Sequence, residues 1–125
     1  MATSDIDWSS PAETSLALGR IVHGWRSHLE RAASSRERAA SLRANPQPPP
    51  AGVSEHDWEA FPGLLDAQAA EWDAAAAADA DEYRAAVAEA VSAGRLTRAQ
   101  SAQLQGAATA GDADAAVAAL KREVF

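Results

Sequence analysis

The sequence predicts an all-α fold: an antiparallel hairpin of two long helices with two shorter C-terminal helices, a small helical bundle. Three observations carry this. Large apolar residues recur three and four positions apart over long stretches, which is the helical period. Thirty-four of the 125 residues are alanine, the best helix former. A run of prolines, Pro46-Gln47-Pro48-Pro49-Pro50, separates two such stretches, and proline removes an amide donor and restrains the residue before it.

The elements follow in order. Residues 1–10 are polar apart from Ile6 and Trp8 and are expected to form a flexible arm. Ser10-Pro11-Ala12-Glu13 is a helix opening, with serine as cap, proline in the first turn and glutamate three residues after the cap. The first helix is expected over about 11–44, on the stripe Leu18, Val22, Trp25, Leu29 and Ala32, widened by Ile21. Gly19 and Gly24 lie inside it, either for close helix packing or by plain tolerance. The proline-rich linker over 45–53 reads as a stiff extended strap, with a docking peptide for a proline-recognition domain as the alternative. Ser54 caps a restart, and Pro62-Gly63 is expected to interrupt it or to open the long helix that runs to about 93. Gly94 ends that helix. Thr97, with Gln100 three residues on, caps a helix to about 110, and Asp112 caps a last one over 113–123. Residues 11–125 are thus expected to form a single helical domain.

The core is thinner than the composition suggests. Of 125 residues, 47% are apolar, but without the alanines only 25 larger side chains remain. Trp25, Leu29, Leu65, Trp72, Tyr83 and Leu104 are expected among the large core members. Helices of about 30 residues are about 45 Å long, so a monomer would leave part of its stripes exposed, and self-association or a protein partner is expected.

The net charge is −7, and it is segregated. Residues 1–51 hold six arginines and five carboxylates, whereas residues 52–93 hold one arginine and ten carboxylates. Two helices of opposite bias attract, which guides pairing geometry more than it stabilises. The acidity argues against a dedicated duplex binder. No apolar run approaches the roughly 20 residues of a membrane span. The first residues lack a basic region followed by an apolar one, which predicts a cytoplasmic location. The absence of cysteine excludes disulfides and thiolate chemistry.

No constellation names a reaction. His23 and His28 are five apart and do not share a helix face, His56 lies in another segment, and no Glu-x-x-His pair occurs, so no metal site is expected. There is no phosphate loop, dinucleotide fingerprint or nucleophile elbow, so neither catalytic residues nor a cofactor is expected. Asp79 falls on the stripe of Trp72, Ala76 and Tyr83, and a carboxylate there needs a partner. His23, His28, Asp79 and Tyr83 therefore form a candidate polar pocket. Arg31, Arg36, Arg38 and Arg43 form a basic run that faces an acidic partner, phosphates, solvent or the acidic second helix. Trp8 and Trp58 stand in polar surroundings; with Phe61 and the four arginines they are the candidate interface residues, because aromatics are enriched at interface hot spots.

The leading expectation is a non-catalytic protein–protein interaction module, or an accessory or structural subunit of a larger assembly. A small enzyme, or enzyme subunit, with an inter-helix pocket is the first alternative. A nucleic-acid-associated regulator using the last two helices is the second, opposed by Asp112 and Asp114 where a recognition helix would meet phosphates.

Overall fold

A computed structural model describes residues 6–125. Among them are four helices and no strand: α1 (Pro11–Ala44), α2 (Glu55–Ser92), α3 (Arg98–Ala110) and α4 (Ala113–Glu123). The fold is the all-α bundle with a long-helix hairpin. Two compact units divide the chain: the residues up to Arg26 with Ala76–Phe125 form one, and Ser27–Ala75 the other.

The first unit holds most of the large buried side chains. Leu18, Val22 and Trp25 repeat at helical spacing along α1 and are buried, with Ile21 beside them. Tyr83 and Val87 of α2 are fully buried among Ala76, Ala80, Ala86 and Ala90. The Trp25 and Tyr83 rings meet with centroids 6.1 Å apart. Leu104 of α3 and Leu120 of α4 complete the core.

Local chemistry fixes the ends of these helices. Gly94 takes a left-handed φ of 79°, and the Gly94 and Arg95 amides return to the carbonyls of Val91 and Ala90. That is the C-terminal stop in which two amides satisfy the last carbonyls of the helix. The Thr97 hydroxyl accepts the Gln100 amide, and the Gln100 side chain accepts the Thr97 amide, closing a reciprocal cap. The Gln100 side-chain amide also donates to the carbonyl of Glu123 (3.0 Å), tying the start of α3 to the end of α4. Arg84 of α2 donates to the carbonyl of Ala108 in the last turn of α3 (3.2 Å).

Residues 1–5 of the expected arm lie outside the described residues. From Ile6 onward the chain turns back on itself. Trp8 is buried, at 7% exposure, and its carbonyl accepts the hydroxyl of buried Thr14 (3.0 Å). Glu13 reaches past the cap to accept the Asp7 amide (2.9 Å), while Ser10 accepts the Glu13 amide at a long 3.4 Å. Trp8 thus sits within its own unit.

The second unit has a small core. Its buried apolar residues are Ala32 and Ala39 of α1 and Leu65 and Ala69 of α2. Leu29 and Trp72, expected among the core, are only half-buried. At the foot of the strap, the Val53 amide closes on the carbonyl of Pro50 (3.1 Å), with Gly52 at a φ of 83°. This is the turn that needs a positive φ at its third position.

The expected interruption at Pro62 does not occur: α2 runs unbroken through it. Proline there withdraws only the bond to the Trp58 carbonyl, and the buried Leu65 and Ala69 hold the following turns in place. Gly19 and Gly24 are not demanded by close approach. A methyl at either would meet its neighbour at 3.5 or 3.8 Å, which is ordinary contact.

Burial pushes the Tyr83 phenol up to about 12, and its hydroxyl finds no hydrogen-bond partner among the described residues. A raised value in the folded state gives stability that is complete below the unfolded pKa, near 10, and is lost as pH rises through 12. Tyr83 is the only tyrosine, so its phenolate absorbance reports one site. Ionisation is expected well above pH 10 and coincident with loss of helical signal. Tyr83→Phe is expected to be neutral or to raise stability by about 1 kcal/mol, since it removes an unpaired buried hydroxyl. An ordinary titration near pH 10 in the folded protein would refute this.

Candidate functional site

Within Ser27–Ala75 the basic run of α1 is turned onto α2. Arg31 lies over the Trp72 ring (4.9 Å to the centroid), and His28 stacks on the same indole at 5.4 Å. Arg36 pairs with Asp73, Arg43 pairs with Asp66 (2.7 Å), and Arg38 lies over the Phe61 ring at 5.2 Å. All four expected interface arginines are therefore engaged inside their own unit. The earlier two arginines meet residues 72 and 73 of α2 and the later two meet residues 61 and 66, as antiparallel pairing requires.

The geometry suits the residue type. A guanidinium is planar and weakly hydrated, so it stacks on an aromatic face while its stem covers apolar surface. The Arg36 guanidinium holds the Asp73 carboxyl below the usual carboxylate range.

The stack continues toward the strap. Phe61 lies on Trp58, with centroids 5.4 Å apart and the rings nearly parallel at 13°. The Trp58 indole N–H donates to the carbonyl of Gln47 in the proline run (2.9 Å). A polyproline segment with a tryptophan N–H on one of its carbonyls is the arrangement by which aromatic grooves hold proline-rich peptides. Here the chain supplies both partners.

Strap and helix enclose a cleft of about 520 Å³. Pro46, Pro48 and Pro49 form one wall, with Leu42 below; Trp58 and Pro62 form the other. Glu55 and Glu59 stand on the helix side, and Arg43 lies on the α1 side. Residues 55, 58, 59 and 62 follow the i, i+3, i+4, i+7 spacing, so one face of α2 carries both carboxylates and the tryptophan. Ser54 caps that helix, its hydroxyl accepting the Asp57 amide (3.1 Å).

The structure distributes the candidate polar pocket instead of assembling it. Asp79 lines a cavity of about 210 Å³ with Arg20, Gly24 and Glu82 in the first unit. His23 is exposed and lines a different cavity of the same size, beside Phe125. Tyr83 is in the core against Trp25, and His28 belongs to the other unit. Among the described residues no three His, Asp or Glu side chains are placed to hold a metal ion. Among the described residues no helix is long and apolar enough to cross a membrane.

Of the cleft residues, the sequence nominated Trp58, Arg43 and neighbouring Phe61. It missed Pro46, Pro48, Pro49, Glu55, Glu59 and Pro62. The signal was present in the spacing of Glu55, Trp58, Glu59 and Pro62, one helix face immediately after a proline run. No family model, curated protein or solved structure matches the chain.

The arginine layer generates a prediction. Arg31→Ala and Arg38→Ala are each expected to lower stability by about 0.5–1 kcal/mol, the worth of an exposed cation–ring contact. Lysine at either position is expected to recover only part, because it keeps charge and loses the planar stack. Urea unfolding checks this, and an unchanged midpoint would assign both residues to solvent. The depressed Asp73 carboxyl adds a pH dependence. Its contribution is present above the unfolded value near 3.8 and lost as pH falls through the lower folded value, so Asp73→Asn is expected to flatten the acid limb of the stability curve.

Proposed function

We propose that the chain is a non-catalytic protein-interaction module that receives a segment of a partner polypeptide in the cleft between its proline strap and the first turns of α2. One observation carries this reading: a half-buried tryptophan, fixed on one side by Phe61 and at its N–H by Gln47, lines an open, proline-walled cleft. Its volume lies within the range of ligand sites, roughly 300–1,000 Å³. Its walls have little conformational freedom left to lose, because proline rings are rigid and the indole is held at its N–H. Such preorganisation lowers the cost of association. Tryptophan is also the residue type most enriched at energetic centres of interfaces. The exposed Leu64, one turn beyond the stack, extends apolar surface on the same helix.

The test is an array of diverse ten-residue peptides probed with the labelled full chain and with Trp58→Ala and Trp58→Phe. The wild type is expected to select a subset of peptides. Trp58→Ala is expected to lose them by tenfold or more, the effect of removing a hot-spot side chain worth about 2 kcal/mol. Trp58→Phe keeps the stack and loses the bond to the strap, and an intermediate loss is expected. Circular dichroism of both variants establishes that the helices persist. Failure of the wild type to select any peptide, or selection of the same set by Trp58→Ala, would overturn the reading.

A further inference from the structure

We infer that the cleft selects an arginine side chain of the partner segment, taken between the proline wall and Trp58 with its guanidinium at Glu55 and Glu59. The inference rests on the docking reading above and specifies its ligand chemistry.

Charge is the first argument. Glu55 and Glu59 are exposed on the cleft wall, and neither forms an ion pair among the described residues. The cation of the cleft, Arg43, is committed to Asp66 at 2.7 Å and leaves the carboxylates uncompensated. The N-terminus of α2 contributes roughly half a positive charge. Three carboxylates in its first turns, those of Glu55, Asp57 and Glu59, outweigh it. A cation is the complementary ligand, and an acidic segment is disfavoured.

Shape is the second argument. The walls are flat apolar faces, the proline rings and an indole, and the carboxylates stand one turn apart on the helix. A guanidinium presents a planar, weakly hydrated face to such walls and a fork of donors to a carboxylate. A lysine ammonium, strongly hydrated and compact, uses the charge and wastes the walls. Inside the same unit the chain already uses this chemistry twice, with Arg31 on Trp72 and Arg38 on Phe61. The Arg38–Phe61–Trp58 stack ends at the cleft, where an incoming guanidinium extends it.

The test uses three ten-residue peptides in a Gly/Ser/Pro background that differ only at one central residue: arginine, its neutral isostere citrulline, or lysine. Each is titrated into the ¹⁵N-labelled full chain. The Trp58 indole cross-peak, identified by its loss in Trp58→Phe, reports both occupancy and the bond to Gln47. The arginine peptide is expected to shift this peak saturably and to weaken with added salt. The lysine peptide is expected to bind several-fold more weakly, and the citrulline peptide at least tenfold more weakly. The double variant Glu55→Gln/Glu59→Gln is expected to reduce arginine-peptide affinity fivefold or more and to leave the citrulline peptide unchanged. Equal binding of the arginine and citrulline peptides would overturn the inference. So would an unmoved Trp58 peak with the arginine peptide while array-selected peptides shift it. Either result would leave the docking cleft intact, whereas a lack of any Trp58-dependent peptide defeats the docking reading itself.

Discussion

Between Ser27 and Ala75 a single large apolar side chain, Leu65, is buried; the other buried positions are alanines at 32, 39 and 69. Burying one leucine contributes roughly 1.5–3 kcal/mol, far below the conformational entropy of ordering the two helical segments and the strap. The unit must recruit stabilisation from its periphery. That constraint explains why every arginine of the segment lies against α2, on Trp72, Asp73, Phe61 or Asp66. The stems cover the rim of a narrow alanine seam while the guanidinium groups remain wet. In the other unit Trp25, Tyr83, Leu18, Leu104 and Leu120 provide an ordinary core.

The same scarcity shapes the cleft. Leu42 alone lines the cleft from α1 with an apolar side chain, and Trp58 is held at the rim by Phe61 and by the Gln47 carbonyl. An apolar surface remains open that a fuller core would have closed. The carboxylates of the first turns of α2 serve the helix terminus and also set the charge of the opening. The stability of the helix terminus and the charge of the cleft are thereby drawn from one small set of residues.

Much of the fold was legible in the sequence because its signals are local. Ser54, Thr97, Asp112 and Gly94 act on groups a few residues away, and their bonds are those the spacing implied. Non-local outcomes were less legible. Periodicity placed Leu29 and Trp72 on a buried stripe, but it does not report what covers them: both are half-buried, and Trp72 is met by His28 and Arg31, not by large apolar side chains. Pro62 reads as a break because its local cost is visible and the packing of Leu65 and Ala69 is not. Trp8 reads as part of an arm because the return of its carbonyl to Thr14 spans six residues across a turn. The expected polar pocket grouped residues by stripe, whereas the structure puts Tyr83 in the core and Asp79 and His23 at separate cavities. The acidic cleft was missed because it depends on the strap folding back over the first turns of α2.

The central claim is that residues 27–75 are held by a peripheral layer of charged and aromatic contacts instead of by buried apolar area. Native-state amide hydrogen exchange at low and high salt tests it most directly, because it resolves local opening free energies along each helix. Amides of residues 30–42 and 60–72 are expected to exchange through smaller openings than those of residues 16–25 and 80–90. Raising the salt to about 1 M, where the screening length falls to about 3 Å, is expected to accelerate the first group selectively. Uniform protection along α1 and α2, insensitive to salt, would contradict the account.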